Sequence, residues 1–291
     1  MGGALIRWMF PDVAPRRVAV LRVLVYLFVP LDMLLFTAGV FQHPHNPGGY
    51  RPVLIARLLG LPAPVEGVVI GVFVLVVAAC LVAATGRLPR AAGYAAALGF
   101  GYWALMAMSF GKVDHDHLAL LVALFALPSV GRLGDGRASP QAAGWTVRVV
   151  QIAVVATYFL SAWAKIRWGG WEWPNGATFQ WAISRRGTFI GHLVEGLPWL
   201  IHMGQWVLLI AEALTPLLLF ASGRALYAGV AFFAAFHLVT WLAIAIHFLP
   251  LVVCLTAFLP LERLPRRGRG FGESIRELAL RRTKSGDPIA S

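Results

Sequence analysis

Charged residues, and lysine above all, are scarce in this 291-residue sequence. Charged side chains make up 13% of it, hydrophobic ones make up 59%, and lysine occurs only three times among 25 basic residues. A soluble domain carries about 25% charged residues, so the composition excludes an ordinary soluble globular protein. Apolar runs of about 20 residues, the length that crosses the hydrocarbon core of a bilayer, recur along the chain. We therefore predict an all-α, polytopic transmembrane helical bundle.

Cysteine is also rare. Cys80 and Cys254 both fall in the middle of apolar runs, and the sequence contains no CxxC pair. This pattern excludes a disulfide framework and the common cysteine-based zinc sites. The first residues, MGGALIRWMFPDVAPRR, contain no apolar core followed by a small-residue cleavage site, so we expect no signal peptide.

The apolar runs predict about eight spans. The fourth is short and the last two are weakly divided, so seven and nine spans are the alternatives. The predicted spans are 18–40, 66–85, 91–110, 117–130, 145–165, 199–220, 225–243 and 246–261. The segment 176–195 is mixed in polarity and is expected to form one amphipathic helix in the membrane interface, on the outer side. Residues 1–262 are thus predicted to form one transmembrane domain, and 263–291 a basic, flexible cytoplasmic tail.

Basic residues are distributed unevenly around these spans. With the N-terminus inside, the cytoplasmic segments hold seventeen Arg and Lys residues, eight of them after residue 262, whereas the outer segments hold six. The positive-inside rule then places both termini in the cytoplasm of a multi-pass cell-membrane protein. A basic tail beside the last span suits anionic lipid, so the net charge of +12 indicates a lipid bilayer, and not nucleic acid, as the partner.

Lys165 stands near the end of an apolar run, in YFLSAWAKIRWGGWEW, on the predicted extracytoplasmic side. One interpretation is a lysine that extends to the lipid headgroups beside an aromatic belt of tryptophans. The other is a buried base, because a lysine in a dry site can give up its proton whereas arginine stays charged. Ser161 and Tyr158, four and seven residues earlier, would share its helical face.

The stretch GKVDHDH places four alternating acids and histidines, Asp114 to His117, at the outer end of the predicted fourth span. Three interpretations are open. Imidazole and carboxylate groups suit several divalent ions, but the spacing matches no specific site, and we predict no metal. An acidic run before a helix is also a favourable cap. The third interpretation is a catalytic or orienting His117.

Further ionisable residues fall within or beside predicted spans: Arg22, Asp32, Glu212, His237 and His247. Charges at membrane depth are costly, so such residues either pair with one another or line a wet or ligand-filled cavity. Arg22 and Asp32 lie about 15 Å apart along one helix and are expected to find their partners on other helices.

Five segments occur in an order that resembles a known family. They are VAVLRVLVYLFVPLD, YRPVLIARLLGLPAPVE, GYWALMAMSFGKVDHDHLALL, YFLSAWAKIRWGGW and FHLVTWLAIAIHF. Together, from about residue 16 to 261, they resemble the vitamin K-dependent gamma-carboxylase superfamily, whose membrane part is the HTTM domain. The resemblance implies oxidation of a vitamin K-type hydroquinone by oxygen, which produces a strong base. That base removes a proton from a glutamate side chain, and carbon dioxide then adds to the carbanion.

The resemblance also implies roles for particular residues. Lys165 matches the lysine of the family pattern Y-F-x-A-G-x-x-K and would be the general base that deprotonates the quinol. His117 matches the histidine of N-H-x-Y-L and would bond the developing oxyanion or peroxide. His237 matches the histidine of the family's F-H helix. The sequence departs from the pattern by Asp116 in place of Asn, Ala119 in place of Tyr and Trp163 in place of Gly.

The expected site therefore has Lys165 and His117 as catalytic residues. Candidates for ligand binding or orientation are Asp114, Asp116, Tyr158, His237, Trp103 and Arg22. The expected substrate is a lipid-soluble quinone in its reduced form, menaquinone or a vitamin K-type quinol, with oxygen and carbon dioxide as co-substrates.

Three functions remain open at this point. The first is a quinol-dependent oxygenase, epoxidase or carboxylase-like enzyme. The second is a non-catalytic membrane partner in peptide maturation, export or immunity, acting with a small exported peptide or protein. The third is a transporter that uses Arg22, Asp32, Glu212 and His237 as charges at mid-membrane, although the two halves show no internal repeat of the kind many transporters have.

Overall fold

The computed structural model describes residues 2–133 and 139–265, and over these ranges the chain is helical with no β-strand. The α-helices are α1 (Gly2–Met9), α2 (Pro15–Leu35), α3 (Leu54–Leu58), α4 (Glu66–Ala84), α5 (Ala91–Met108), α6 (His117–Ala126), α7 (Pro140–Gly169), α8 (Ala177–Arg186), α9 (Phe189–Glu195), α10 (Pro198–Leu214), α11 (Gly223–Ile244) and α12 (Leu249–Leu255). Short 3-10 helices cover Ala38–His45, Pro47–Gly49, Leu127–Val130, Thr215–Leu219, Thr256–Phe258 and Leu261–Arg263. Residues 266–291, most of the predicted basic tail, lie outside the described residues.

Six helices of the described chain are long and apolar enough to cross a membrane. They are α2, α4, α5, α7, α11 and α10 with its 3-10 extension to Leu219. Helices α6 and α12, with the 3-10 turns that follow them, are apolar but contain only 10–17 residues each. At 1.5 Å per residue they extend about 15–26 Å, less than a bilayer core of about 30 Å. These two shorter helices coincide with the predicted fourth and eighth spans. Over the described residues the chain is all-helical, and its six candidate membrane-spanning helices indicate a membrane protein.

Helix α7 lies at the centre of the bundle. It packs against α2, α6 and α10, while α4 packs against α2 and α5. The contact between α4 and α5 depends on small residues, because a Cβ atom on Gly99 would lie 2.6 Å from the Val76 side chain. Small residues allow apolar helices to approach closely and gain dispersion energy. The alanine- and glycine-rich sequence of α5 is thus explained by its packing.

Helices α10 and α11 have different neighbours. Helix α10 packs on α7, α8 and α9, whereas α11 packs on α8, α9 and α12. Gly176, just before α8, lies beside His202 in the first turns of α10. Thr188, just before α9, bonds to the last carbonyls of α11. The two short helices therefore join the start of α10 to the end of α11 and close one end of the space between them.

The prediction of a single amphipathic helix over 176–195 is wrong, because α8 and α9 form there instead. Gly187 leaves the helical conformation with ψ 131°, and Thr188 caps α9 by accepting a hydrogen bond from the Gly191 amide at 3.3 Å. The Thr188 hydroxyl also donates to the Leu242 carbonyl, and its amide donates to the Ala243 carbonyl at 3.0 Å. These contacts with the last turn of α11 terminate α8 at Arg186. They cannot be predicted from the polarity pattern of the segment itself.

Gly144 of α7 tests how tightly the bundle is packed. A Cβ atom there would lie 1.6 Å from the Pro11 carbonyl oxygen, so the backbone before α2 would have to move. We expect Gly144→Ala to lower the free energy of unfolding by about 1–3 kcal/mol, the usual cost of overpacking. Gly71→Ala in α4 is the matched control, because its Cβ would meet nothing within 4 Å. Unfolding in mixed micelles measures both, and equal effects would contradict the close contact.

Candidate functional site

A cavity of about 570 Å³ lies between α7, α8, α10, α11 and α12. Most of its lining is apolar, and the hydroxyl and ionisable groups that line it include His115, Tyr158, Ser161, Lys165, Glu212 and His237. Cavities of 300–1,000 Å³ with apolar walls and a few convergent polar groups are typical ligand sites. The cavity is therefore the candidate functional site of this protein.

Lys165 and Glu212 form an ion pair inside this cavity. Lys165 lies in the last turns of α7, and its Nζ bonds to Glu212 Oε2 on α10. The two side chains are 18% and 5% exposed, and the Ser161 hydroxyl, one turn before Lys165, donates to Glu212 Oε1 at 3.5 Å. Removing two charges from water costs several kcal/mol per ion, and this cost is offset only by close pairing. The amine of Lys165 thus faces the cavity and the carboxylate.

Trp173 covers the amine of Lys165 from the other side. Helix α7 ends at Gly169, and the next residue, Gly170, reverses the chain with a φ of 66°. The Trp173 ring centroid then lies 5.0 Å from Lys165 Nζ. Gln205 of α10 holds this turn in place by donating to the Trp173 carbonyl at 2.6 Å. The other tryptophans of this stretch point outwards, since Trp163 and Trp168 are 60% and 80% exposed. A cation beside an aromatic face is stabilised by the ring quadrupole.

Tyr158 and His237 form a second polar pair in the cavity. The Tyr158 hydroxyl lies 2.6 Å from His237 Nε2, and both side chains are buried. The other ring nitrogen of His237, Nδ1, is buried and has no hydrogen-bond partner. Tyr158 lies seven residues before Lys165 on α7, which is two helical turns, so both side chains reach the same cavity. The pair offers a ligand one further hydrogen-bonding position.

His115 is the histidine of the Asp114–His117 run that lines the cavity. It lies in the turn before α6, exposed at the cavity edge. The surrounding protein removes part of its hydration, and this desolvation lowers the pKa of His115, while the nearby Asp116 carboxylate acts in the opposite direction. His115 therefore connects the cavity with the outside of the bundle.

His117 is placed elsewhere, between two carboxylates in the bundle core. Its Nε2 lies 3.1 and 3.2 Å from the Asp32 oxygens of α2, and its Nδ1 lies 3.2 Å from Asp116 Oδ1. The Thr37 hydroxyl donates to Asp32 Oδ2 at 3.2 Å, and the Trp103 indole donates to Thr37 at 2.8 Å. With both carboxylates ionised, both imidazole bonds require a doubly protonated ring. The structure therefore ties Trp103, Asp116 and His117 into one network and does not bring His117 into the lining beside Lys165.

The remaining candidate residues lie outside the cavity lining. Asp114 pairs with Lys112 at 2.7 Å in the exposed turn before α6. Asp116 occupies the cap position of α6, but its side chain bonds to His117 and makes no cap hydrogen bond. Arg22 is buried and donates to the carbonyls of Leu127 and Gly131, at 3.2 and 2.8 Å. Among the described residues, no group of three or more His, Cys, Asp and Glu side chains could hold a metal ion.

Two ionisable residues of the cavity, Glu212 and His115, are not among the site residues predicted from the sequence. Glu212 is an isolated acid in an apolar run, and its pairing with Lys165 bridges 47 positions of sequence. His115 belongs to a run in which the resemblance points to His117. The available signal was an acid in one predicted span and a lysine in another, because opposite charges within one apolar bundle tend to pair. Comparisons with protein-family models, with curated proteins and with solved structures find no match to this chain.

Proposed function

We propose that this protein is a membrane enzyme that oxidises a lipid-soluble hydroquinone in the cavity, with Lys165 and Glu212 as its proton-accepting pair. The observation that carries the proposal is the ion pair at the wall of an apolar cavity of about 570 Å³. A buried pair of this kind is weak evidence for stability, since an apolar pair of similar size often serves a core equally well. Its position in a cavity favours a chemical role.

The number of protons that the Lys165–Glu212 pair can hold suits an aromatic diol as the substrate. The pair holds one transferable proton, either as ammonium and carboxylate or as amine and carboxylic acid. Uptake of one further proton from the diol gives, in both cases, an ammonium on Lys165, a carboxylic acid on Glu212 and the singly deprotonated diol. The ammonium offsets the negative charge of this monoanion, whose oxygen atoms are more electron-rich than those of the diol. The monoanion then passes two electrons and its remaining proton to molecular oxygen, which gives the quinone and hydroperoxide, and hydroperoxide takes back the proton held by the pair to give hydrogen peroxide.

The shape of the cavity suits a ligand with a polar head and an apolar tail. Polar groups are contributed by α7, α10 and α11. Leu200 of α10 and Val239 of α11 also line the cavity and are 39% and 62% exposed at the surface of the bundle. A ligand could therefore enter sideways from the bilayer, with its tail between α10 and α11. Tyr158 and His237 would hydrogen-bond the second oxygen of the ring.

The resemblance to the gamma-carboxylase superfamily supports the same proposal. It matches Lys165 to the family's general base and implies oxygen, with carbon dioxide as a further co-substrate. His117, the other residue matched to a catalytic role, lies outside the cavity lining and bonds to Asp32 and Asp116. We further propose eight spans, counting α6 and α12, with both termini in the cytoplasm of a cell-membrane protein and the cavity near the extracytoplasmic side. The excess of basic residues on the opposite side supports this orientation.

The protein in lipid nanodiscs provides the test. We expect reduced short-chain menaquinone to cause saturable oxygen uptake, measured with an oxygen electrode, and mass spectrometry to find menaquinone in the purified sample. Lys112→Ala is the control, because Lys112 forms an exposed pair outside the cavity, and its uptake should equal that of the wild type. Oxygen uptake no faster than in empty nanodiscs, together with no quinone binding, would refute the proposed function.

A further inference from the structure

A second pocket lies away from the Lys165 cavity. Helices α6 and α7 pack against each other, with Lys165 near the end of α7 and residues 130–132, which follow α6, at the opposite end of this pair. At this second end a pocket of about 530 Å³ opens between residues 130–132 and the turn from α4 to α5. Residues of both segments line it: Arg87, Leu88, Arg90, Val130, Gly131 and Arg132. The proposed enzymatic reaction uses none of them.

Arginine side chains dominate the charge of this second pocket. Arg87, Arg90 and Arg132 line it, and Arg22 lies behind Gly131, whose carbonyl accepts a hydrogen bond from Arg22 at 2.8 Å. Arg22 is 2% exposed, and its Nε is buried with no hydrogen-bond partner. Within the described chain, no carboxylate lies within ion-pair distance of these four guanidinium groups. Four like charges around one pocket attract an anion strongly.

Backbone groups of the pocket position two of these side chains, Arg132 and Arg90. Arg132 donates from Nε and Nη2 to the Arg87 carbonyl, at 3.2 and 3.0 Å, and this bond fixes the plane of its guanidinium group. Gly131 has a φ of 71°, and a Cβ atom there would lie 3.3 Å from Arg90 Nη2. Glycine thus allows Arg90 to lie against residues 130–132. Oriented guanidinium groups bind phosphate oxygens in pairs, with better geometry than lysine provides.

The position of the pocket indicates a lipid as the source of the anion. Helix α4 ends at Ala84 and α5 begins at Ala91, so the pocket lies where two candidate spans end. This is the depth of lipid headgroups, and the proposed orientation places it in the cytoplasmic leaflet, where anionic lipids concentrate. Leu88 lines the pocket and is 55% exposed, which offers an apolar surface for the glycerol and upper acyl chain. We propose that Arg87, Arg90 and Arg132 bind the phosphate of an anionic phospholipid.

The test compares two triple variants of the full-length protein. One carries Arg87→Gln, Arg90→Gln and Arg132→Gln. The matched control carries Arg51→Gln, Arg57→Gln and Arg185→Gln, which removes the same charge from exposed arginines outside the pocket. Native mass spectrometry in detergent, titrated with phosphatidylglycerol, should show binding weakened about 100-fold in the pocket variant and by less than about 3-fold in the control. Phosphatidylcholine should bind weakly to all three proteins.

Several outcomes would overturn the proposal. Equal weakening in both triple variants would mean that overall charge, and not the pocket, attracts the lipid. Displacement of phosphatidylglycerol by an equal concentration of glycerol 3-phosphate would assign the pocket to a soluble phosphate. If the glutamine variant does not fold, lysine at the same three positions keeps the charge but loses the paired geometry, and unchanged binding there would overturn the proposal. Oxygen uptake in the pocket variant should stay at the wild-type rate, so this test is independent of the proposed reaction.

Discussion

Lys165→Met is expected to lower the turnover of reduced menaquinone by about 1,000-fold, within the range that a general acid–base group contributes. Methionine has a similar length but can neither accept a proton nor offset the charge of the singly deprotonated diol. The effect should fall on kcat more than on KM, because the amine acts when the proton moves and most binding surface is apolar. Oxygen uptake at saturating diol in nanodiscs measures this.

Lys165→Arg separates the chemical role of the lysine from its structural role. Arginine can keep the ion pair with Glu212, so the free energy of unfolding should stay near that of the wild type. It does not give up its proton at neutral pH, so the form of the pair in which a neutral Lys165 amine accepts the proton of the diol is lost, and the turnover should remain as low as in Lys165→Met. Full turnover in the arginine variant would show that only a positive charge is needed, and the proposed base would then be wrong.

Asp32→Ala is expected to lower the free energy of unfolding by about 3–5 kcal/mol, the usual cost of removing one partner of a buried charged pair. Asp32 is 0% exposed, and its carboxylate faces His117 Nε2 at 3.1 Å and accepts from Thr37. Its removal would leave a buried imidazole with one carboxylate and the partly buried Thr37 hydroxyl with one acceptor fewer. Reversible unfolding in mixed micelles, or steric trapping in a bilayer, measures the change.

Asp114→Ala is the matched control for this prediction. It removes the same side chain from the same end of the bundle, but its partner Lys112 is 77% exposed, and such pairs contribute less than about 1 kcal/mol. Asp32→Asn keeps the shape and an acceptor for Thr37, so its effect should fall between the two. A loss in Asp32→Ala no larger than in Asp114→Ala would show that the buried network does not stabilise the fold.

Helical spacing alone accounts for several correct features. The residue spacing placed Tyr158 and Ser161 on the face of Lys165, and all three line the same cavity. The prediction that Arg22 and Asp32 find partners on other helices is confirmed by the Leu127 carbonyl of the 3-10 helix that follows α6 and by His117. Both inferences used only the rise and repeat of an α-helix, together with the cost of a charge in an apolar medium.

Which residues contact one another in the fold is much harder to predict from the sequence. His115 and His117 lie two residues apart, yet one lines the cavity from a turn and the other, as the first residue of α6, enters the core. Where the helix begins decides this, and the cap residue Asp116 makes no side-chain cap bond that would mark it. The break between α8 and α9 likewise depends on bonds from Thr188 to the end of α11.

Composition by itself determined that this protein is helical and apolar enough to enter a membrane, because chain length, hydrophobicity and helix rise are local quantities. The sequence also identified the charged residues that are unusual by their position, because only a few of them lie within apolar runs. Only the tertiary structure decided that Lys165 contacts Glu212, that His117 contacts Asp32, and that arginines from residues 87–90 and from Arg132 line one pocket. These are meetings between segments far apart in sequence, and they are fixed by how helices pack and not by any pattern within one helix.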